Sequence, residues 1–409
     1  LENEHGLFQV HAYPFEKNLS TFIVECHEQV YQRAGFEQLD EAQTCAYFER
    51  LFAEHLDGHK LLTNRSLWRV FPMISCERWS HGNVVLMGDA VHTAHFSIGS
   101  GTKLAMEGAI ALAESFQRHG LGDVPKVLAA YEEARRVDVA KLQRVAKTSQ
   151  EWFEHVARYA AQPPTLFTFN LMTRSRRITW DNLAKRDPTL VDEVRDAYAQ
   201  AQHVAVAPGA KAPVPMFTPF KLRELTLRNR VVVSPMCQYS ALDGSPNDWH
   251  LVHLGSRAVG DAALVIGEAT AVSPDGRITH GCTGMYSEAN EAGWKRVVDF
   301  VHAHSRAAIG LQLAHAGRKA SCSLPWEGDA PLRDASAWPT IAPSAEPFDA
   351  AWHVPRAMTR ADMSAVRDAF VQAVQRSDRA GFDLIELHMA HGYLLSSFLS
   401  PLSNSRKDE

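Results

Sequence analysis

The 409-residue sequence predicts an α/β architecture in two parts, on three observations. From Phe220 onward, short apolar runs alternate with amphipathic ones, strand then helix, as in a parallel (β/α) barrel. Four such units make half of an eight-stranded barrel. Upstream, Asn83 to Gln117 reads as strand, glycine-bounded turn and helix, the pattern of a separate unit. Between them Val204 to Pro219 is rich in Ala, Pro and Gly with little charge, which suits a connector. The expected division is 1–203, a linker at 204–216, and 217–409.

Composition narrows the function classes. A hydrophobic content of 45% supports real cores, and a net charge of −5 gives no basic signal, so nucleic acid is not an expected partner. Six cysteines, at 26, 45, 76, 237, 282 and 322, show no CxxC spacing. That favours reduced thiols in a cytoplasmic enzyme over a disulfide frame. No apolar run approaches membrane length and no signal peptide is visible, so no membrane partner is expected. A chain that starts at Leu1 and stops at Glu409 reads as an internal fragment.

In the first part, Leu7 to Pro14 and Thr21 to Val30 alternate like paired strands around the turn EKNLS. Glu41 to Leu56 reads as an amphipathic helix and Leu67 to Trp79 as another strand. Val84 to Met87 should be a buried strand, Gly88 and Asp89 its turn, and Gly99-Ser-Gly101 the start of a helix running to about His119. A carboxylate at a strand end can accept hydrogen bonds from ribityl or ribose hydroxyls. A glycine-rich helix start offers N–H groups and a positive dipole end to an anionic oxygen. An aspartate that merely caps a turn is the plainer alternative. Asp123 to Tyr159 is a long helical run of two helices, and Thr189 to Gln202 a last helix. Arg174, Arg176 and Arg177 read as an exposed basic turn, or else as contacts for acidic phosphates.

In the second part the strands are Arg230 to Pro235, Ala263 to Ala269, Ile309 to His315 and Phe382 to His388. Helices are expected at Leu251 to Val259, Asn290 to Ser305 and Thr359 to Arg379. Each strand ends in a chemically loaded turn: SPMCQYS, GEATAVSPDGR, QLAHAGRKA and HMAHGY. In parallel barrels that end carries the chemistry. His315, His388 and His391 allow a three-His metal site as an alternative, but no carboxylate accompanies them and no metal is expected. Ser321 to Pro355, with Trp326, Trp338 and Trp352, is too long for an ordinary connector and reads as a lid or subunit contact.

Four such turns in register, together with HMAHGYLLSSFLSPLSNSRKDE, resemble the Old Yellow Enzyme family of NADH:flavin oxidoreductases over Phe217 to Glu409. The resemblance implies an FMN site lined by Ser234, Pro235, Met236 and Cys237, with Ala269 and Gln312 on the pyrimidine side. It implies that His388 and His391 grip the oxygen of an activated carbonyl, that Tyr393 delivers a proton to the α-carbon, and that Tyr239 closes over the substrate. Upstream, NVVLMGDAVHTAHFSIGSGTKLAMEGA resembles the second flavin-binding motif of FAD-dependent aromatic hydroxylases of the p-hydroxybenzoate hydroxylase type. On that resemblance Asp89 would hold the ribityl chain, with Gly88 beside it in the cofactor site, and the backbone of Gly99 to Thr102, Gly101 included, would face the isoalloxazine and pyrophosphate. His95 and Phe96 stand where many of these hydroxylases carry a Pro-Pro pair. The GxGxxG loop such a fold needs for the ADP phosphates is not in the sequence, and neither is the second half of the barrel.

Joined in one chain, the two segments are similar to the bacterial bifunctional family that hydroxylates and then reduces CoA-activated aromatic acids. The implied substrates are salicylyl-CoA or 2-aminobenzoyl-CoA with dioxygen; the implied cofactors are FAD, FMN and NAD(P)H; a homo-oligomer is expected. Two rivals are a stand-alone ene-reductase or 2,4-dienoyl-CoA reductase with a degenerate upstream segment, and a non-catalytic flavin carrier.

Overall fold

The computed structural model describes residues 1–63 and 65–408. They divide into two compact units, Leu1–Tyr198 and Ala199–Glu409.

In the first unit β1 (Gly6–Glu16) and β2 (Leu19–Cys26) form the expected antiparallel hairpin, with Val10 opposite Val24. The second strand ends at Cys26. His27 then caps a short helix, Glu28–Arg33, so Val30 is helical and packs with Phe8, Phe36, Phe48 and Phe52 in one core. The helix expected over 41–56 breaks at Phe52 into Glu41–Leu51 and Ala53–Leu56. No strand forms over 67–79: the segment makes one isolated bridge, Ser75 to His92, and leaves Val70 90% exposed. Alternation becomes a strand only where a neighbour offers a ladder. Here the backbone bonds instead to the loop beyond, Cys76 N–H to Val91 O and Thr93 N–H to Ile74 O. The strand expected over 84–87 shortens to Val84–Val85 and pairs with Ser80–His81; Val84 is 62% exposed, not buried. Two long helices follow, α1 (Gly101–His119) and α2 (Val124–Glu154). They meet over Leu104, Tyr131 and Val139, with Trp79 and Val91 in the same cluster. Arg174 is not in an exposed basic turn: half-buried, it donates to Ser149 Oγ and to the carbonyls of Leu171 and Ser97.

The second unit is a four-stranded all-parallel sheet: β3 (Val232–Val233), β4 (Leu264–Ala271), β5 (Ala308–Ala314) and β6 (Leu384–Leu387), in spatial order β6-β5-β4-β3. Between them run α3 (Asp248–Val259), α4 (Glu288–His304) and α5 (Arg360–Ala380). The outward residues Val265, Ile309, Leu311 and Leu313 pack under Trp294, Val297, Val298 and Val301 of α4. The opposite face buries Leu264 and Ile266 against Leu227, from a hairpin (Phe220–Leu222 with Leu225–Leu227) that the sequence reading passed over. Burial on both faces is why the strands read as continuous apolar runs. Between the pairs Leu311–Gly267 and Leu313–Thr270 the register shifts, so Glu268 and Ala269 together stand against Gln312 alone. Such a bulge re-aims side chains beside functional sites.

Helix ends follow local chemistry. Thr359 and Asp362 form a capping box at the start of α5, and Gly381, at φ 93°, ends it. Ser287 accepts the Asn290 N–H at the start of α4 (3.2 Å). Ser287→Ala should therefore lower stability by about 1 kcal/mol, readable as a urea midpoint shift without a change of slope.

Candidate active site

The carboxyl ends of β3 to β6 carry the loaded turns. His388 follows β6 directly: its N–H bonds to Leu313 O, and its ring is 5% exposed. Its Nδ1 accepts the Ala390 N–H (3.2 Å), so the ring proton of the neutral form sits on Nε2. That atom lies 3.0 Å from Nδ1 of His391, which leaves His391 Nε2 as the pair's other N–H donor. His391 reaches this position through a left-handed backbone, φ 58°. Tyr393 completes the group, its ring centroid 4.8 Å from that of His388. Lys319 ties the turn down, donating to His391 O (3.2 Å) while its ammonium lies between the rings of Phe348 and Tyr393.

Electrostatics sort these groups. Burial, and behind it the neighbouring Cys237 and Tyr239, push the Tyr393 phenol far above its ordinary value. Burial and then the adjacent His391 hold the His388 imidazolium below its usual range. Both side chains are therefore neutral donors near pH 7. Cys237 lies beside Tyr239, and burial pushes its thiol up to about 12, so it is a thiol rather than a thiolate. Tyr239 holds φ 52° and meets Trp326, centroids 6.3 Å apart, so the long excursion contributes an aromatic to this mouth.

The sequence-selected residues of the second unit thus come together: Cys237, Tyr239 and Tyr393 on one side, His388 and His391 beside them. Ser234 and Met236 are exposed at the end of β3, and Ala269 and Gln312 are buried on β4 and β5. Three residues escaped the sequence reading. Glu386 accepts from the Gln312 amide (2.5 Å), and Lys319 and Glu268 brace the turns. Glu386 stands two before His388, on the same face of its strand, a period-two signal that could have marked it. His315, the remaining member of the suggested three-His set, accepts the Gly317 N–H and lies 4.0 Å from Asp275; no cluster of potential metal ligands occurs among the described residues.

His315 makes a stability prediction. It is 2% exposed, and burial pushes its imidazolium down to about 4. The folded state stays neutral while an unfolded chain binds a proton below about pH 6.5. Stability should therefore fall as pH drops through that window, by about 2 kcal/mol between pH 7 and 5. Urea midpoints at the two pH values check this, and His315→Asn should flatten the difference.

In the first unit Asp89 lies exposed in a turn of 3-10 helix, Gly88–Ala90. Neither of two surface cavities, about 490 and 430 Å³, is lined by it. Gly99, at φ 60°, leads into α1, whose first amides receive no side-chain cap, since Ser100 Oγ donates to Ile98 O instead. A Cβ added at Gly99 or Gly101 would meet nothing within 4 Å, so the space over this helix start fits an anionic group.

Residues 215–409 match the NADH:flavin oxidoreductase / NADH oxidase family model, and residues 2–146 match an FAD binding domain. An FAD-binding domain is followed by an Old Yellow Enzyme-like (β/α)8 barrel region, represented here by four parallel strands. Such domains take FAD in the first case, and FMN with NAD(P)H in the second; together they are the modules of a flavin-dependent oxidoreductase. An NADPH dehydrogenase of Geobacillus thermodenitrificans is 45% identical over 196 residues, covering 47% of this chain and 53% of its own. A salicyloyl-CoA 5-hydroxylase of Streptomyces is 42% identical over 241 residues, 56% of this chain and 44% of its own. That share exceeds residues 215–409, so the likeness to the Streptomyces protein reaches upstream of the barrel segment. A solved structure of morphinone reductase in complex with tetrahydroNAD aligns with 33% identity and a TM-score of 0.42, covering 48% of this chain and 55% of its own. The chain spans about half the length of the curated relatives it matches.

Proposed function

We propose that the chain belongs to a two-flavin oxidoreductase that hydroxylates a CoA-activated aromatic acid, salicylyl-CoA or 2-aminobenzoyl-CoA, and then reduces the product at the barrel. The observation that carries the reductase half is the convergence of His388, His391 and Tyr393 at the carboxyl end of β6. What supports the hydroxylase half is the FAD-binding match on the same chain, with the likeness to a salicyloyl-CoA 5-hydroxylase reaching upstream of the barrel.

Bound FAD would supply oxygen transfer from dioxygen, and bound FMN the hydride drawn from NAD(P)H. The chain's own residues do the rest. His388 and His391 hold the carbonyl oxygen, His391 through its free Nε2–H and His388 through the Nε2–H that turns to the substrate from His391 Nδ1, where negative charge grows as the β-carbon is reduced. Tyr393 keeps its proton until the α-carbon takes it. Ser234, Pro235, Met236 and Cys237 shape the flavin shelf, Ala269 and Gln312 its pyrimidine side, and Tyr239 the cover over the substrate. Upstream, Asp89 would take the ribityl hydroxyls, with Gly88 beside it in the cofactor site, and the amides of Gly99, Gly101 and Thr102 an anionic oxygen.

No described helix is long and apolar enough to cross a membrane. The proposal includes a cytoplasmic homo-oligomer acting on an aromatic acyl-CoA and dioxygen, without nucleic-acid or membrane partners. Flavin extraction from the full-length protein tests the reading, with FAD and FMN expected in equal amounts. FMN alone would favour the stand-alone ene-reductase or 2,4-dienoyl-CoA reductase, and would overturn the fusion.

A further inference from the structure

Glu268 and His250 are buried ionisable residues outside the set of reacting groups. They are 4% and 1% exposed, and they face each other across 3.8 Å, Oε1 to Nε2. Neither of those two atoms has a hydrogen-bond partner. Leaving a buried polar atom unsatisfied is costly, so such a pair calls for a physical reason. The other atom of each group supplies one. Glu268 Oε2 accepts the N–H of Gln238 (2.8 Å), inside the turn that presents Met236, Cys237 and Tyr239. His250 Nδ1 accepts the N–H of Asn247 (3.1 Å), and Asn247 Nδ2 in turn donates to Ser240 O (2.7 Å), two residues further along the same turn. Because Nδ1 accepts, Nε2 carries the ring proton and is the donor aimed at Glu268. The β-bulge brings Glu268 to this place, since it sets both Glu268 and Ala269 against Gln312.

We infer that Glu268 and His250 are positioning residues for the turn Met236–Ser240: the carboxylate holds it at Gln238 from β4, the imidazole holds it from α3 at Ser240 through the capping residue Asn247, and the pair keeps the two holds in register. The turn needs an outside hold. Tyr239 sits at φ 52°, a left-handed conformation that its own side chain disfavours, and Met236 is 44% exposed. Glu268 is also one of the neighbours that raise the Cys237 thiol, after burial and Cys282, so the carboxylate and the thiol share one environment. The inference takes the purpose of the turn from the reductase reading, but its mechanical content stands on the contacts alone.

The test compares Glu268→Gln and Glu268→Ala with the unsubstituted protein, using amide hydrogen exchange over 236–240 and the pH profile of Cys237 alkylation by iodoacetamide, resolved by peptide mass spectrometry. Glu268→Ala should speed exchange and alkylation at least tenfold. Glu268→Gln keeps an acceptor for Gln238, so exchange should return to within about threefold of the unsubstituted protein. It removes the charge, so the alkylation profile should move to lower pH. Exchange and alkylation within twofold of the unsubstituted protein in Glu268→Ala would overturn the inference. If Glu268→Ala does not fold, an unmoved alkylation profile in Glu268→Gln would overturn it instead. Neither readout requires bound FMN, so loss of the reductase reading and loss of this inference are separate results.

Discussion

Replacing Tyr393 by Phe should slow the reduction of a simple enone such as 2-cyclohexenone by about 10²- to 10⁴-fold in the full-length holoenzyme, with the flavin absorption spectrum retained. The substitution removes one oxygen and leaves the ring in contact with His388 and under Lys319. The lost group is the phenol that burial, with Cys237 and Tyr239 behind it, keeps protonated far into the alkaline range. The direction of that shift gives a second arm. A donor with a raised pKa loses its proton only as pH climbs past the raised value, so the rate of the unsubstituted protein should show no loss from Tyr393 between pH 7 and 10. A Tyr393→Phe variant within threefold of the unsubstituted rate would remove Tyr393 from the proton path.

The second large effect concerns the histidine pair. His388→Ala and His391→Ala should each cost about 10²- to 10³-fold in kcat/KM for the same substrate, the usual loss for one donor at a developing oxyanion. The double variant should cost little more than the worse single one. His388 Nε2 and His391 Nδ1 are joined at 3.0 Å, and the Ala390 N–H fixes the tautomer at one end of that chain, so removing either ring frees the other to turn. Groups that act as one unit give non-additive losses. A double-mutant cycle measures this directly, and strictly additive losses would mean two independent contacts.

Much of the second unit was legible because burial leaves a mark in composition. LVIGEATA and AIGLQLA lie in the interior of a parallel sheet and cannot alternate with polar residues as a half-solvated strand does. The helices were marked by their ends, Thr359 with Asp362 at one end of α5 and Gly381 at the other. Leu67 to Trp79 failed for the converse reason. It alternates, but a strand is a pairing, and the partner backbone at residues 90–93 is a loop that supplies single bonds rather than a ladder. Val84 carried the composition of a buried strand and lies at the surface, because its ladder is the two residues Ser80–His81.

By itself the sequence determined the repeating strand–helix order, the helix caps, and the placing of His388, His391 and Tyr393 at the end of one strand, since each follows from neighbours a few residues away. Tertiary structure alone decided that Gln312 would be held by Glu386, 74 positions on, that a bulge would turn Glu268 toward Gln238, and that Tyr239 would meet Trp326. Those contacts depend on sheet register and on the path of a long excursion. Neither is encoded in local periodicity, because the backbone bonds that set them join residues far apart in the chain.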